Sequence, residues 1–447
     1  MKWILESRLT LRLALPLMIG QLSQMLLGVA DTLMIGQLGV TELAALTFAN
    51  SLFHVPFVFG IGALTGISVF TSNACGADNP TAARESCRHG LFLASVLGLV
   101  LFALAWWVST HMDALGQPEL VSDRTTIYFR IIMASLVPGL ASIALKNHAD
   151  ALNRPWPPFW IFLGGVGLNI FLNWVMMYGK FGCPALGFEG AAWATLISRT
   201  AILLVMLVWM VRDQALARWV PLKWLGAWDF KEIRRLLTVG IPASAHMLFE
   251  VSAFSVVGLW MGFFGADAMA AHQIAITLAG LAFMIPLGLS MALTVRIGAA
   301  YGAGEIERLR PIAISGCLLV FGYALLGGSA FLIFGESIAS WFTKSPAVIH
   351  LAASLLVIVG LFQLVDGLQV AAASMLRGLR DAKVPALIGL ISYWGVGIPL
   401  SAALAFWLQP GPRGVWWGLA AGLFVACFTL VPRLWKQIQR ATRLPLH

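Results

Sequence analysis

The chain has 447 residues, of which 59% are hydrophobic and 11% are charged, and its mean hydropathy is +0.85. This composition excludes a soluble domain of that length and is typical of a polytopic α-helical membrane protein. The net charge of +9 would suit nucleic-acid binding, but the placement of the charges argues against that partner.

Apolar stretches long enough to cross a bilayer, about 20 residues each, recur along the whole chain. The first contains Gln21, Gln24 and Asp31 and is too long for a cleaved signal peptide, so it is expected to be a retained span. The predicted twelve transmembrane helices lie near residues 13–36, 43–70, 89–109, 126–145, 158–180, 187–212, 236–263, 270–298, 311–335, 347–376, 384–408 and 414–435.

Lys and Arg are distributed unevenly between the two sides of the predicted membrane. With a cytoplasmic N-terminus, most of the 29 Lys and Arg fall on the cytoplasmic side, and Arg199 lies mid-span. The few on the opposite side are Arg124, Arg130, Lys180, Lys344 and Arg413. Because cytoplasmic loops carry such an excess of Lys and Arg, both termini are predicted to be cytoplasmic. The basic pI is therefore attributed to membrane topology and not to nucleic-acid binding.

The chain aligns with itself at an offset of 226 residues, from Pro16 to Pro242. Further aligned pairs are Gly36 and Gly262, Gly39 and Gly265, Gly62 and Gly288, Gly76 and Gly302, and Arg84 and Arg310. The repeat predicts an all-α polytopic fold of twelve transmembrane helices in two pseudo-symmetric six-helix lobes around a central cleft. The lobes are residues 1–225 and 226–447, joined by a polar loop at about 212–235.

Three carboxylates lie inside predicted spans, namely Asp31, Glu250 and Asp366. A charged carboxylate at the bilayer centre costs roughly 3 kcal/mol on insertion scales. Such side chains face protein or a watery cavity and by default mark an ion or substrate path. The three acids therefore favour a transporter driven by an ion gradient.

Amides accompany the acid of the first lobe. Gln24 and Asp31 share one face of the first helix, and Asn169 and Asn173 lie one turn apart on the fifth. Their oxygens suit Na⁺ and also hydrogen bonding to a protonatable Asp. For the two asparagines, interhelical hydrogen bonding is the alternative.

In the second lobe His246 and Glu250 lie one turn apart after Pro242, and Asp366 lies on the tenth helix. An HxxxE pair can hold a metal, but no further ligand accompanies it at ligand spacing, so no metal site is predicted. We expect His246 to tune Glu250 or to pair with it. Gln24 occupies the repeat position of Glu250, so the lobes are not chemically equivalent.

Arg199 is open to four interpretations: a gate, a counter-ion for one of the acids, snorkelling to the interface, or a structural pair. The motifs GxxxxGK[ST], HExxH and GxSxG are absent from the sequence. Without a P-loop, an ion gradient is the expected source of energy.

Three segments resemble the multidrug and toxic compound extrusion (MATE) transporters: LALPLMIGQLSQMLLGVADTLMIGQLG, GIPASAHMLFEVSAFSVVGLWMGFFG and MLRGLRDAKVP. The similarity covers essentially the whole chain, and Glu250 with Asp366 points to the NorM-type bacterial branch. The resemblance implies a first-lobe cation site at Asp31, Asn169 and Asn173 and a second-lobe site at Glu250 and Asp366. To these we add Gln24 in the first lobe and His246 in the second.

The resemblance also implies a secondary active multidrug efflux antiporter that works by alternating access in a bacterial inner membrane. Cationic amphipathic drugs would leave in exchange for Na⁺ or H⁺. The expected partners are these small molecules and membrane lipid, with no nucleic acid, no cofactor besides the coupling ion, and a monomeric state.

Two other functions are alternatives to efflux. A lipid-linked oligosaccharide flippase of a related branch would need a more cationic cavity to hold pyrophosphate, whereas the intramembrane charges here are mostly acidic. An intramembrane transferase or protease would need a nucleophile or a metal-diphosphate motif, and none is visible. The sequence therefore predicts a transporter and not an enzyme.

Overall fold

The computed structural model describes residues 2–116, 118–224, 226, 228–408 and 411–443, and none of these residues lies in a β-strand. The helices are α1 (Lys2–Gly36), α2 (Val40–Ala63), α3 (Thr65–Gly76), α4 (Pro80–Ser109), α5 (Glu119–Ala134), α6 (Leu136–Ala151), α7 (Trp156–Tyr178), α8 (Phe188–Arg212), α9 (Phe230–Met261), α10 (Ala266–Gly302), α11 (Ile306–Ser340), α12 (Pro346–Gly378), α13 (Lys383–Leu390), α14 (Ile398–Ala402) and α15 (Pro412–Arg443). Short 3₁₀ segments follow α4 and α9, and π-helical turns flank α14.

Twelve spans in the described part of the chain are long and apolar enough to cross a membrane. Each predicted stretch coincides with one of them, so the all-α polytopic prediction is confirmed. A helix suits this environment because it pairs its backbone polar groups within the segment, where lipid offers no partner. The second, fourth and eleventh spans are composite: α2 with α3, α5 with α6, and α13 with α14.

Proline explains two of these interruptions. Pro138 lacks an N–H for the carbonyl four residues earlier, and the fourth span breaks at Ser135 between α5 and α6. Pro399 has the same effect in the eleventh span, where Ile391–Gly397 and Ala403–Leu408 are π-helical. Local π turns of this kind occur often at functional sites.

The chain divides into two compact units. The first unit comprises residues 22–244, and the second comprises residues 1–21 with 245–447. The boundaries fall inside α1 and α9, so each of these helices contributes to both units. The division of the sequence repeat at residue 225, and the cleft expected between its lobes, stay predictions.

Buried charges hold the start of α1 within the second unit. Glu6 pairs with Arg296 of α10 and, at 3.1 Å, with Arg308 of α11. Arg296 Nη1 also donates to Thr10 Oγ1 at 2.5 Å. Removing one partner of a buried ion pair costs about 3–5 kcal/mol because the other charge is left uncompensated. These contacts account for the grouping of residues 1–21 with the second unit.

The polar loop that follows α8 packs against the first unit. Leu216 and Trp219 are buried in a cluster that includes Leu145 and Met206. His148 Nε2 donates to the carbonyl oxygen of Trp219 at 3.1 Å. Leu216 and Trp219 of the loop that joins the two halves of the sequence are therefore packed within the first unit.

Backbone contact between α11 and α12 shapes the second unit. A Cβ atom built on Gly328 would lie 2.6 Å from the carbonyl oxygen of Gly360, and one on Gly360 would lie 2.8 Å from that of Gly328. Small residues allow such a close approach between membrane helices. In lipid, helices associate mainly through van der Waals packing, because there is no hydrophobic effect between them. Both positions therefore require glycine.

We expect Gly328→Leu to lower the free energy of unfolding by about 1–3 kcal/mol, because overpacking forces α11 and α12 apart. Thermal unfolding of the purified protein in detergent measures the loss. Gly322→Leu, on the same helix, is the matched control, because a Cβ atom built on Gly322 would meet nothing within 4 Å. Equal destabilisation by both substitutions would contradict this account of the contact.

Candidate functional site

Asp31 of α1 meets both asparagines of α7 within the first unit. Asn173 Nδ2 donates to Asp31 Oδ1 at 2.6 Å. The Asn169 amide is satisfied when its oxygen accepts from the hydroxyl (3.2 Å) and backbone N–H (3.3 Å) of Thr195. In that orientation the Asn169 nitrogen also donates to Asp31 Oδ1, at 3.2 Å. Two amide groups then converge on one carboxylate oxygen.

The oxygen of Asn173 is left without a donor. Asn173 is fully buried, and its Oδ1 has no hydrogen-bond partner among the described residues. A buried acceptor in this condition costs about 1–3 kcal/mol. Amide and carboxylate oxygens are hard ligands, so Asn173 Oδ1 and the carboxylate of Asp31 together can accept a monovalent cation.

Gln24 lies apart from this cluster. Its side chain is exposed, and no hydrogen bond in the described part of the chain joins it to Asp31, Asn169 or Asn173. Gln24 precedes Asp31 by about 10 Å of helix at 1.5 Å per residue. A shared helix face therefore does not bring the two side chains into one site.

Glu250 and Asp366 belong to one polar cluster within the second unit. The Tyr393 hydroxyl accepts from Gln369 Nε2 at 3.0 Å, and it lies close to the carboxyl group of Glu250 on α9. Asp366 lies one turn before Gln369 on α12. Two acids from different helices are thereby brought beside a hydrogen-bonded phenol and amide.

Several buried polar atoms around Asp366 have no hydrogen-bond partner. Asp366 Oδ1 and Gln369 Oε1 are buried without a hydrogen-bond partner in the described structure, and so are both amide atoms of Gln363, one turn before Asp366. Native interiors leave few buried polar atoms unpaired, so each such group calls for a physical explanation. A proton on Asp366, or a cation beside it, would compensate part of this deficit among the oxygens, whereas the Gln363 nitrogen is a donor that neither would satisfy.

His246 is hydrogen-bonded to a backbone carbonyl group and not to Glu250. Its Nδ1 donates to the carbonyl oxygen of Pro385 at 3.0 Å, and its ring packs edge-on to Tyr393 at 6.5 Å. No ion pair or hydrogen bond in the described part of the chain joins His246 to Glu250. Gly389 makes room for the ring, since a Cβ atom there would lie 2.7 Å from His246 Nδ1.

Sequence reasoning missed Tyr393. It is one of only five tyrosines, it lies inside an apolar span, and a buried phenol normally needs a hydrogen-bond partner. Those features were a usable signal. That it lies beside Glu250, far away in the sequence, depends on the packing of α9 against the eleventh span.

Arg199 of α8 is held by neutral groups in the first unit. Its guanidinium lies 5.3 Å from the ring centre of Phe53 and 5.5 Å from that of Phe57. Its Nη1 donates to Ser135 Oγ at 2.8 Å. No carboxylate pairs with Arg199 in the described part of the chain. These contacts favour a structural role, while the charge of Arg199 also interacts with the Asp31 carboxylate, so the counter-ion interpretation stays open.

We expect Arg199→Ala to destabilise the protein by about 2 kcal/mol or more, because a desolvated cation–π contact and a charged hydrogen bond are lost together. Thermal unfolding in detergent measures this effect. Ser135→Ala removes only the hydrogen bond and should cost less. An Arg199→Ala protein as stable as the unsubstituted one would rule out the structural role.

Comparison with known proteins assigns the chain to a family. The MatE family model matches residues 16–175 and again residues 242–403, and the two matches begin at the prolines that the repeat aligned. The chain is similar to a protein of Agrobacterium fabrum described as "Probable multidrug resistance protein NorM", with 34% identity over 98% of this chain and 95% of that protein. It is also similar to the multidrug resistance protein PmpM of Pseudomonas aeruginosa, with 35% identity over 98% and 93%.

A solved structure has the same fold. It is described as the outward-facing conformation of a multidrug resistance MATE family transporter, and it matches with a TM-score of 0.89 and 21% identity over 98% of this chain and 96% of that one. These matches confirm the predicted resemblance, including the NorM-type branch, and the prediction that the chain is not an enzyme. On sequence and fold together, the chain belongs to the MATE family of membrane transporters.

Proposed function

We propose that the protein is a secondary active multidrug efflux antiporter, which exports cationic amphipathic compounds in exchange for Na⁺ or H⁺. The observation that carries this proposal is the pair of buried acidic clusters, each with oxygens that lack a hydrogen-bond donor. The names of the NorM and PmpM relatives support drug export. The acidic character of both clusters favours a cationic substrate over the pyrophosphate of a flippase.

Either coupling ion could interact with the unpaired oxygens of these clusters. A Na⁺ ion would accept the lone pairs of Asp31 and Asn173, or of Asp366 and Gln369, as hard oxygen ligands. A proton would instead turn a carboxylate into a hydrogen-bond donor. In both cases the ion neutralises a charge that the membrane interior disfavours. A cationic drug that competes for the same carboxylates would couple the two fluxes.

Alternating access in this proposal uses the two six-helix repeats, residues 1–225 and 226–447, as the moving lobes. The distribution of Lys and Arg supports cytoplasmic termini, and the bacterial relatives support a place in the inner membrane. Opening toward the cytoplasm would load the drug. Opening toward the outside would release it as the coupling ion binds.

Neutralising either acid of the second unit should reduce export. We expect Glu250→Gln and Asp366→Asn each to lower gradient-driven ethidium efflux from vesicles by about 10-fold or more, equivalent to 1.4 kcal/mol of lost coupling. Glu336→Gln is the matched control, because Glu336 is an exposed acid on α11. Efflux at the unsubstituted rate in both variants would refute a role for these carboxylates.

Imposed gradients identify the coupling ion. Proteoliposomes are given a Na⁺ gradient alone and then a pH gradient alone, and ethidium movement is followed in each. One of the two gradients should drive transport, and Asp31→Asn should weaken that response. Export that persists with neither gradient present would overturn the antiport proposal.

A further inference from the structure

The second unit contains an open cleft between α11 and α15 that the transport proposal does not use. Its volume is about 340 Å³, within the range of about 300–1,000 Å³ that small-molecule sites occupy. The residues that line it are Arg310 and Ile314 of α11 and Trp435, Ile438 and Gln439 of α15.

The cleft is amphipathic. Ile438 is buried, and Ile314 and Trp435 are half-buried, so its inner wall is apolar. Arg310 and Gln439 are exposed and form a polar rim. A wall of this kind suits a ligand with an acyl part and a charged head, and tryptophan is enriched where membranes meet water.

Basic side chains near this end of α11 and α15 are unpaired, and Arg310 is the one among them that lines the cleft. The exposed side chains of Lys436, Arg440 and Arg443 follow Trp435 on the last turns of α15. None of them, and not Arg310 either, forms an ion pair within the described part of the chain. Glu307, one turn before Arg310, does not pair with it.

Neighbouring arginines on the same helices are already neutralised. Arg308 pairs with Glu305 at 2.5 Å and with Glu6 at 3.1 Å, and Arg433 pairs with Asp381 at 2.9 Å. On these two helices, the unpaired positive charge near this end therefore includes Arg310 in the cleft wall. An anionic ligand would neutralise it.

The position of the cleft along the helices identifies the source of that anion. α15 has 32 residues, which is about 48 Å at 1.5 Å per residue and exceeds the hydrocarbon thickness of about 30 Å. The turns from Trp435 to Arg443 therefore reach the level of the lipid headgroups. Arg310 lies in the second turn of α11, near the same end.

We propose that this cleft binds the headgroup of an anionic phospholipid. Arg310 would bind the phosphate through its planar guanidinium, which suits bidentate contact, and Gln439 would donate to it from the opposite wall. An acyl chain would lie along Ile314 and Ile438. Basic pockets between transmembrane helices bind anionic headgroups by this chemistry. The inference stands independently of which drug or ion the protein transports.

Native mass spectrometry of the full-length, delipidated protein in detergent tests the proposal by titration with dioleoyl-phosphatidylglycerol. We expect one lipid to be retained, with an apparent affinity that falls about 5-fold in Arg310→Gln, as for the loss of one surface cation. Gln439→Glu places a carboxylate on the opposite wall and should weaken binding at least as much. Arg12→Gln is the control, because Arg12 is exposed on α1 and lies outside the cleft.

Three results would overturn the assignment. Dioleoyl-phosphatidylcholine could be retained as well as phosphatidylglycerol, Arg12→Gln could weaken binding as much as Arg310→Gln, or inorganic phosphate could bind with the affinity of the lipid. Arg310 and Gln439 are exposed, so both variants should fold, and their thermal unfolding is measured beside the titration. If only Gln439→Glu can be purified, unchanged retention by that variant overturns the proposal.

Discussion

Polar groups inside a membrane must find their partners within the protein, and this constraint shapes each unit of the structure. Backbone groups satisfy it by forming helices. Arg199 satisfies it with two aromatic rings and a hydroxyl. The intramembrane acids satisfy it only in part, because Asp366 and the amides beside the acids keep buried oxygens without donors. That deficit is the observation on which the proposed ion binding rests.

The two clusters meet the constraint in different ways. In the first unit a single acid, Asp31, accepts from two amides, which hold the carboxylate in place with neutral dipoles. In the second unit two acids lie beside a hydrogen-bonded phenol and amide. The difference follows from the sequence, where Gln24 stands at the repeat position of Glu250.

Departures from regular helix lie close to the polar side chains. The break at Ser135 places the hydroxyl that binds Arg199, and the π-helical turns of the eleventh span carry Tyr393. Both lie near a proline that cannot complete the helical hydrogen-bond ladder. The prolines therefore do more than bend the spans, since they determine which side chains the neighbouring helices meet.

The sequence by itself determined the number and order of the spans. Apolar length and charge placement are local properties, and they decide which segments partition into lipid and which stay in water. It also identified Asp31, Asn169, Asn173, Glu250 and Asp366, since a polar residue in an apolar stretch stands out without any structure. Only the tertiary structure decided which of these side chains meet. It joined Asn173 to Asp31, left Gln24 outside, turned His246 toward a backbone carbonyl, and placed Tyr393 beside the acids. Such contacts depend on how distant helices pack, and the periodicity of a single helix carries no information about its neighbours.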